Sequence, residues 1–148
     1  MTTNIRRVFL ALAAVSVFSM LAPAVVQAQA RATPVKNKVV LQVSDADPGK
    51  WNLTLNIVKN VAQELGEDKV ELEIVVYGPG ISMLKSDSAA GSRVANALKS
   101  GVKVVACEVT MKGLGLTYAD MLPNIGYVPA GVVELMQKQQ QGFAYIRP

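Results

Sequence analysis

Cys107 is the residue best suited to covalent chemistry: it is the only cysteine of the 148-residue chain, and the chain contains no histidine. The lack of histidine excludes Ser–His–Asp and Cys–His nucleophile pairs, HExxH metal sites and an imidazole pH switch. A single cysteine also excludes an intrachain disulfide, a CxxC redox pair and a four-cysteine zinc site. The chemistry left for Cys107 is that of one thiolate acting as a nucleophile.

A reactive Cys107 requires a stabilised thiolate, because the neutral thiol is a poor nucleophile. Without histidine, the stabilising groups must be backbone N–H groups, a helix N-terminus or a cation. Lys112 is the nearest cation along the chain, and we predict it as a candidate thiolate stabiliser. The adjacent Glu108 would oppose ionisation if its side chain lay close to the sulfur.

Two other interpretations of Cys107 stay open. A cysteine at the end of a buried strand is often an inert core residue. Cys107 and Met111 also offer two soft ligands to Cu(I), although two ligands make a poor site unless subunits share it. Apart from this pair, the sequence predicts no metal site and no cofactor.

The elements that must position Cys107 alternate between strands and helices. Runs rich in β-branched residues predict strands over Val39–Val43, Val70–Tyr77, Val102–Cys107, Gly126–Val128 and Phe143–Ile146. The intervening segments predict helices from Pro48 to a cap at Gly66, over Arg93–Ser100, over Thr117–Met121, and from Pro129 to Gly142. The spacing of apolar residues predicts the buried face of each long helix. In the first helix these residues are Leu53, Ile57, Val58, Val61 and Leu65, and in the last helix they are Val132, Val133, Leu135 and Met136.

This alternation indicates an α/β fold, with a mainly parallel sheet of about five strands and helices on both faces. Ligands in such folds bind beyond the carboxyl ends of the strands, near a reversal of strand order. Four segments are predicted to reach that edge: Ser44–Pro48, Tyr77–Gly80, Cys107–Met111 and the turn before Pro129. Cys107 is thus a candidate for the mouth of a cleft.

The first thirty residues have the three-part layout of a secretory signal peptide. Arg6 and Arg7 precede an apolar run over 8–26, and small residues suit cleavage after Ala30 or Ala28. Arg6-Arg7 is compatible with both the twin-arginine route and the ordinary export route. We therefore expect a signal peptide over 1–30, a flexible lead-in over 31–37, a domain over 38–148, and a periplasmic or secreted mature protein.

The composition limits the partners of this protein. Hydrophobic residues make up 51% of the chain, which excludes a disordered protein. Removing Arg6 and Arg7 lowers the basic count from 15 to 13, against 11 acidic residues, and the basic residues form no stripe. We therefore expect no nucleic-acid partner, and no membrane association after signal cleavage.

Several segments together resemble the DsrE/DsrF-like family, and most closely its small exported branch. They are Lys38–Val43, Pro48–Leu53, Tyr77–Gly80, Val105–Met111, Val128–Leu135 and Gly142–Pro148. The resemblance implies a flavodoxin-like α/β fold that assembles as a trimer or hexamer. It also implies sulfur carried as a persulfide, since Cys107 matches the persulfide cysteine of cytoplasmic members.

The leading functional expectation is an exported sulfur carrier or sulfurtransferase that uses the Cys107 thiolate. Its partners would be other copies of the chain and proteins that donate and accept sulfur. The alternatives are a non-catalytic oligomeric binding module with a structural cysteine, and a Cu(I)-binding protein. Whether the carrier would count as an enzyme is left open.

Overall fold

The computed structural model describes residues 36–148, so the predicted signal peptide lies outside the described residues. The strands are β1 (Asn37–Val43), β2 (Val70–Val76), β3 (Lys103–Cys107), β4 (Gly126–Val128) and β5 (Ala144–Ile146). The helices are α1 (Pro48–Leu65), α2 (Gly91–Lys99), α3 (Glu108–Gly113) and α4 (Gly131–Gln140). None of the helices within 36–148 combines the length and the apolar character needed to span a membrane.

The five strands form one parallel sheet in the order β4-β3-β2-β1-β5. Helices cover both of its faces, so the centre of the sheet is buried on both sides. Leu41 and Ile74, at the centre of these strands, are completely buried. The predicted α/β fold class is therefore confirmed, and the terminal strand lies at one edge of the sheet, where β1 is its neighbour.

The two faces of the sheet carry different helices. On one, here called the α1 face, the core includes Val58 of α1, Val94 of α2 and Met111 of α3. On the other, the α4 face, Val75 and Val105 pack with a smaller set of apolar residues that includes Leu135 of α4. α4 is the helix that carries the chain from β4 back across the sheet to β5.

The ends of α1 agree with the prediction, and its buried face agrees with it in part. The Asp47 carboxylate accepts the Gly49 N–H at 2.8 Å, and Gly66 ends the helix with φ of 93°. Leu53 and Leu65 are exposed, while Trp51, Thr54, Leu55, Val58 and Ala62 are buried. Val58 is buried as predicted, and Ile57 and Val61 pack against the core while partly exposed, so the buried face is rotated from the predicted one and not reversed. Thr54 fits on this face because its hydroxyl donates to a backbone carbonyl within the helix.

The segment between β3 and β5 also departs from the prediction. The unpredicted helix α3 begins directly after β3, and the helix predicted over 117–121 is a single 3₁₀ turn, Tyr118–Asp120. α4 starts at Gly131 and buries Gly131, Leu135 and Lys138. The other apolar residues predicted to face inward from α4 are exposed, namely Val132, Val133 and Met136.

A close backbone approach holds the segment after β2 against the end of β1. Tyr77 N–H and Gly80 N–H donate to the carbonyls of Val43 and Ser44 at 3.1 and 3.2 Å. A Cβ atom on Gly80 would lie 2.6 Å from the Val43 carbonyl oxygen, which is far too close. Only glycine therefore fits this position.

Replacing Gly80 by alanine is expected to destabilise the fold by about 3 kcal/mol, because the clashing atoms belong to the backbone and cannot rotate away. Urea unfolding measures this loss. Gly113→Ala is the matched control, since nothing lies within 4 Å of a Cβ there. Equal unfolding midpoints for the two variants would contradict the assigned role of Gly80.

Candidate functional site

Cys107 lies at the point where the chain changes from one face of the sheet to the other. It is the last residue of β3 and pairs with Val128, the last residue of β4. After β3 the chain enters α3, whose Met111 packs on the α1 face, whereas after β4 it enters α4 on the opposite face. Adjacent parallel strands whose connections diverge in this way form the crevice in which α/β proteins bind ligands.

The Cys107 sulfur accepts a hydrogen bond from the start of α4. Gly131 N–H, in the first residue of that helix, donates to Cys107 Sγ over 3.2 Å. The first N–H groups of a helix have no partner within it, and the helix dipole makes this end electropositive. Ionised sulfur is a better acceptor than a neutral thiol at such a position.

Glycine at position 131 allows this approach. A Cβ atom there would lie 3.1 Å from Tyr77 Cβ and 3.3 Å from Cys107 Cβ. Both distances are shorter than ordinary carbon contacts. The first turn of α4 can therefore reach the sulfur because residue 131 has no side chain.

The surroundings of Cys107 shift its pKa in two opposing directions. Burial, the largest single effect, raises the pKa of the thiol, but the hydrogen-bond donors around the sulfur together outweigh burial, so that the pKa lies below the ordinary value of cysteine. Among these donors the Thr110 hydroxyl and Gly131 N–H act most strongly. The backbone N–H groups of Thr110 and Val109 also lower the pKa. They act mainly as nearby dipoles, since Cys107 does not cap α3 with a hydrogen bond and Val109 N–H donates to the Pro129 carbonyl.

Thr110 connects the sulfur to the end of β2. Its Oγ1 accepts the Gly78 N–H at 3.0 Å, which leaves the hydroxyl proton free to point toward Cys107. Gly78 belongs to the segment that bonds back to β1. All four segments predicted to reach this edge of the sheet are thus joined to one another there.

Replacing Thr110 by valine is expected to raise the pKa of Cys107, because it removes one donor to the thiolate while keeping the branched shape. Thr110→Ser keeps the hydroxyl and should leave the pKa near its starting value. A pH titration of thiolate absorbance measures the shift, since the chain has one thiol. Equal titrations for the two variants would show that the hydroxyl does not act on the sulfur.

Glu108 and Lys112 lie beside the crevice rather than on the sulfur. The Glu108 carboxylate accepts a hydrogen bond from the Tyr118 hydroxyl. Lys112 is exposed on α3, and it forms no salt bridge with another residue of the described range. Both side chains line an open cleft of about 520 Å³, together with Val109 and Pro129. The role of Lys112 as thiolate stabiliser stays a prediction.

The structure gives the copper interpretation no support. Met111 is buried in the core of the α1 face, whereas the Cys107 sulfur is directed at Gly131 of α4. Within residues 36–148, no cluster of three or more Cys, Asp or Glu residues is arranged to hold a metal ion.

Cys107 is buried, with 4% of its surface exposed. Buried cysteines in apolar surroundings are inert. The site differs from that case because polar donors, and not hydrocarbon alone, face the sulfur. Its geometry therefore provides the conditions for a thiolate together with restricted access from solvent.

Three solved structures resemble this chain. A protein of unknown function, MTH1491 from Methanobacterium thermoautotrophicum, is 30% identical, with a TM-score of 0.73 over 76% of this chain and 100% of its own. The ychN protein from E. coli is 15% identical, with a TM-score of 0.60 over 76% of this chain and 99% of its own. BT1422, a conserved protein of unknown function from Bacteroides thetaiotaomicron, is 12% identical, with a TM-score of 0.59 over 76% of this chain and 95% of its own. The structures of ychN and BT1422 show a shared fold with this chain.

A comparison with curated proteins finds no match. The model of the DsrE/DsrF-like family matches residues 37–148, which include every strand and helix described above and the Cys107 site. This chain belongs to the DsrE/DsrF-like family.

Proposed function

We propose that this protein carries a sulfur atom as a persulfide on Cys107, as a sulfur carrier or sulfurtransferase. The observation that supports the proposal most is the hydrogen bond from Gly131 N–H to Cys107 Sγ at the point where β3 and β4 diverge. A cysteine that only fills a core has its pKa raised by burial. Here the donors around the sulfur more than offset that effect.

The proposed transfer is a displacement at sulfur that needs no added oxidant. The Cys107 thiolate attacks the outer sulfur of a persulfide, R–S–SH, and a new S–S bond forms. The bond between the two sulfur atoms of the donor breaks, and R–S⁻ leaves with its electron pair. An acceptor thiolate later attacks the outer sulfur of Cys107–S–SH, and Cys107 leaves as the thiolate from which the cycle began.

The structure suits this step because the thiolate is both the attacking group and the final leaving group. A lowered pKa increases the thiolate fraction near neutral pH and makes the group leave more readily. Gly131 N–H and the Thr110 hydroxyl would assist both the attack on the donor and the release of sulfur to the acceptor, since they stabilise negative charge on the same sulfur atom. Lys112 would add a positive charge at the rim when a donor anion approaches.

A second candidate function is a non-catalytic oligomeric binding module in which Cys107 is structural. The 4% exposure of Cys107 favours it. In that case native Cys107 would resist thiol reagents and react only after denaturation. The carrier proposal requires that the native sulfur can be reached, either directly or by a small opening of the start of α4.

Intact-mass measurement tests the carrier proposal. The folded protein is incubated with inorganic polysulfide, freed of excess reagent and weighed. We expect a gain of one sulfur atom per chain, and its complete loss after addition of a small thiol acceptor. The absence of any adduct would reject the proposal, and so would an adduct that the thiol fails to remove.

We also propose that the chain forms a trimer or hexamer that exchanges sulfur with donor and acceptor proteins. Exposed apolar side chains support this proposal, because an assembly would bury them. They are Val109, Leu114, Tyr118, Val132, Val133 and Met136. Light scattering at micromolar concentration should give the mass of three or six chains. A monomer would contradict the proposal.

Export of the chain is a proposal that rests on the sequence of residues 1–30. The mature protein is expected in the periplasm or outside the cell. Fractionation followed by mass analysis should find a chain that begins at Arg31 or Gln29 in the exported fraction. A chain that keeps Arg6 and Arg7 in the cytoplasmic fraction would contradict it.

A further inference from the structure

α4 supplies the hydrogen bond to Cys107 but has few apolar contacts with the sheet. Its buried residues are Gly131, Leu135 and Lys138. Val132 and Val133, in the turn that reaches Cys107, are about half exposed, at 52% and 49%. Whatever fixes α4 on the sheet therefore also fixes the direction of the Gly131 N–H.

A buried ion pair provides this attachment two helical turns beyond Gly131. Lys138 Nζ lies 2.6 Å from Glu73 Oε2, and the two side chains are 11% and 2% exposed. Glu134 approaches Lys138 more loosely, at 3.5 Å. Glu73 Oε1 has no hydrogen-bond partner in the described part of the chain, so Lys138 is the group that holds this carboxylate.

Both partners are charged groups placed where the sheet and α4 meet. Burial raises the pKa of Glu73 in spite of Lys138, and the hydrogen bond to Glu73 raises the pKa of Lys138 in spite of burial. The 2.6 Å contact favours the ionised pair. Two more lysines lie near this ion pair. Lys38 of β1 lies over the Phe143 ring, and Lys103 of β3 forms a salt bridge with Glu71.

We infer that the Glu73–Lys138 ion pair is a positioning device, which holds the first turn of α4 against Cys107 and thereby keeps the Gly131 N–H directed at the sulfur. Apolar contacts such as those of Leu135 hold α4 on the sheet but do not fix one alignment of the helix, because they are not directional. An ion pair fixes the alignment, because it joins one particular atom of α4 to one particular atom of the sheet. Neither residue touches the sulfur or a donor molecule. The inference rests on the proposed role of Cys107 as a nucleophile.

The test is a thiol titration of folded variants. Glu73→Gln and Lys138→Met each remove half of the pair. Positioning predicts that both raise the pKa of Cys107, so that the thiolate fraction at a pH below that pKa falls about threefold or more. Direct electrostatic action across the sheet predicts opposite shifts, since one variant removes a negative charge and the other a positive charge.

The double variant Glu73→Leu/Lys138→Met completes the experiment. Apolar pairs often replace buried ion pairs without loss of stability, so this variant should fold. The pKa of Cys107 in the double variant should return at least part of the way to its native value. Lys85→Met is the matched control, because it breaks the more exposed pair with Asp87, and neither residue lies on β2 or α4. We expect no change in its titration.

The outcomes separate this inference from the function proposed above. Unchanged titrations of the single variants, or opposite shifts, overturn it. If Lys138→Met does not fold, Glu73→Gln alone decides, because positioning and direct electrostatics predict shifts of opposite sign for it. The titration needs no sulfur donor, so a failed polysulfide experiment would reject sulfur carriage and leave the positioning result standing.

Discussion

Replacing Cys107 by serine is expected to abolish sulfur uptake completely. The serine hydroxyl is not ionised near neutral pH and no base lies beside it, so it cannot displace a thiolate from a persulfide. The substitution should preserve the fold, because the hydroxyl can still accept the Gly131 N–H that Cys107 accepts in the native protein. Intact mass after incubation with polysulfide should show no added sulfur, whereas the native protein gains one atom.

Cys107→Ala separates the chemistry of the sulfur from its place in the structure. It should also take up no sulfur, but its loss of the acceptor for Gly131 N–H should reduce stability by about 1 kcal/mol relative to Cys107→Ser. Sulfur retained by either variant would have to be held without a covalent bond to residue 107. That result would contradict the assignment of Cys107 as the carrier.

Replacing Gly131 by alanine is expected to raise the pKa of Cys107 and thereby to lower its thiolate fraction at neutral pH severalfold, because the hydrogen bond from Gly131 N–H lowers that pKa in the native protein. The added methyl group would meet Tyr77 and Cys107 at 3.1–3.3 Å, so the first turn of α4 must move away from the sulfur. We expect a stability loss of about 1–2 kcal/mol from the same strain. Thiolate absorbance against pH measures the first effect, and urea unfolding measures the second.

Gly113→Ala is again the matched control, because it adds the same methyl group on α3 where nothing lies within 4 Å. Its thiol titration should match that of the native protein. A Gly131→Ala variant that keeps both the native pKa and the native alkylation rate would show that the hydrogen bond from α4 does not set the reactivity of Cys107.

The parts of the fold that depend on local chemistry were predictable from the sequence. The start of α1 follows from Asp47 and Pro48, and its end from Gly66, since a capping carboxylate, a preset φ and a left-handed terminal residue act within a few positions. The strands follow from short runs of β-branched residues. The parallel sheet follows from their alternation with helices, and it placed Cys107 at the correct edge.

The surroundings of Cys107 depend on contacts between distant parts of the chain and were not predictable in this way. The donor to its sulfur, Gly131, lies 24 residues further along the chain, and the partner of Thr110, Gly78, lies 32 residues earlier. A glycine directly after Pro129-Ala130, opening a helix at the end of a strand, was the available signal for a close approach. The absence of histidine had already limited the stabilising groups to backbone N–H groups, a helix N-terminus or a cation.

Glu73 shows a different limit of sequence analysis. The alternation of Glu71, Leu72 and Glu73 is typical of a half-exposed strand, yet Glu73 is 2% exposed. Its burial depends on Lys138, which α4 brings to the same face of the sheet from a distant part of the chain. The exposure of Val132, Val133 and Met136 has the same cause, because α4 turns Lys138 rather than these residues toward the sheet.

The rate at which the folded protein is alkylated at Cys107, measured as a function of pH, decides whether this residue is a nucleophile. We expect the native protein to react, with its half-maximal rate at a pH below the ordinary pKa of a cysteine. After unfolding, the pH of the half-maximal rate should be higher. Native protein that resists alkylation at every pH and reacts only once denatured would contradict this expectation. Cys107 would then be a structural residue.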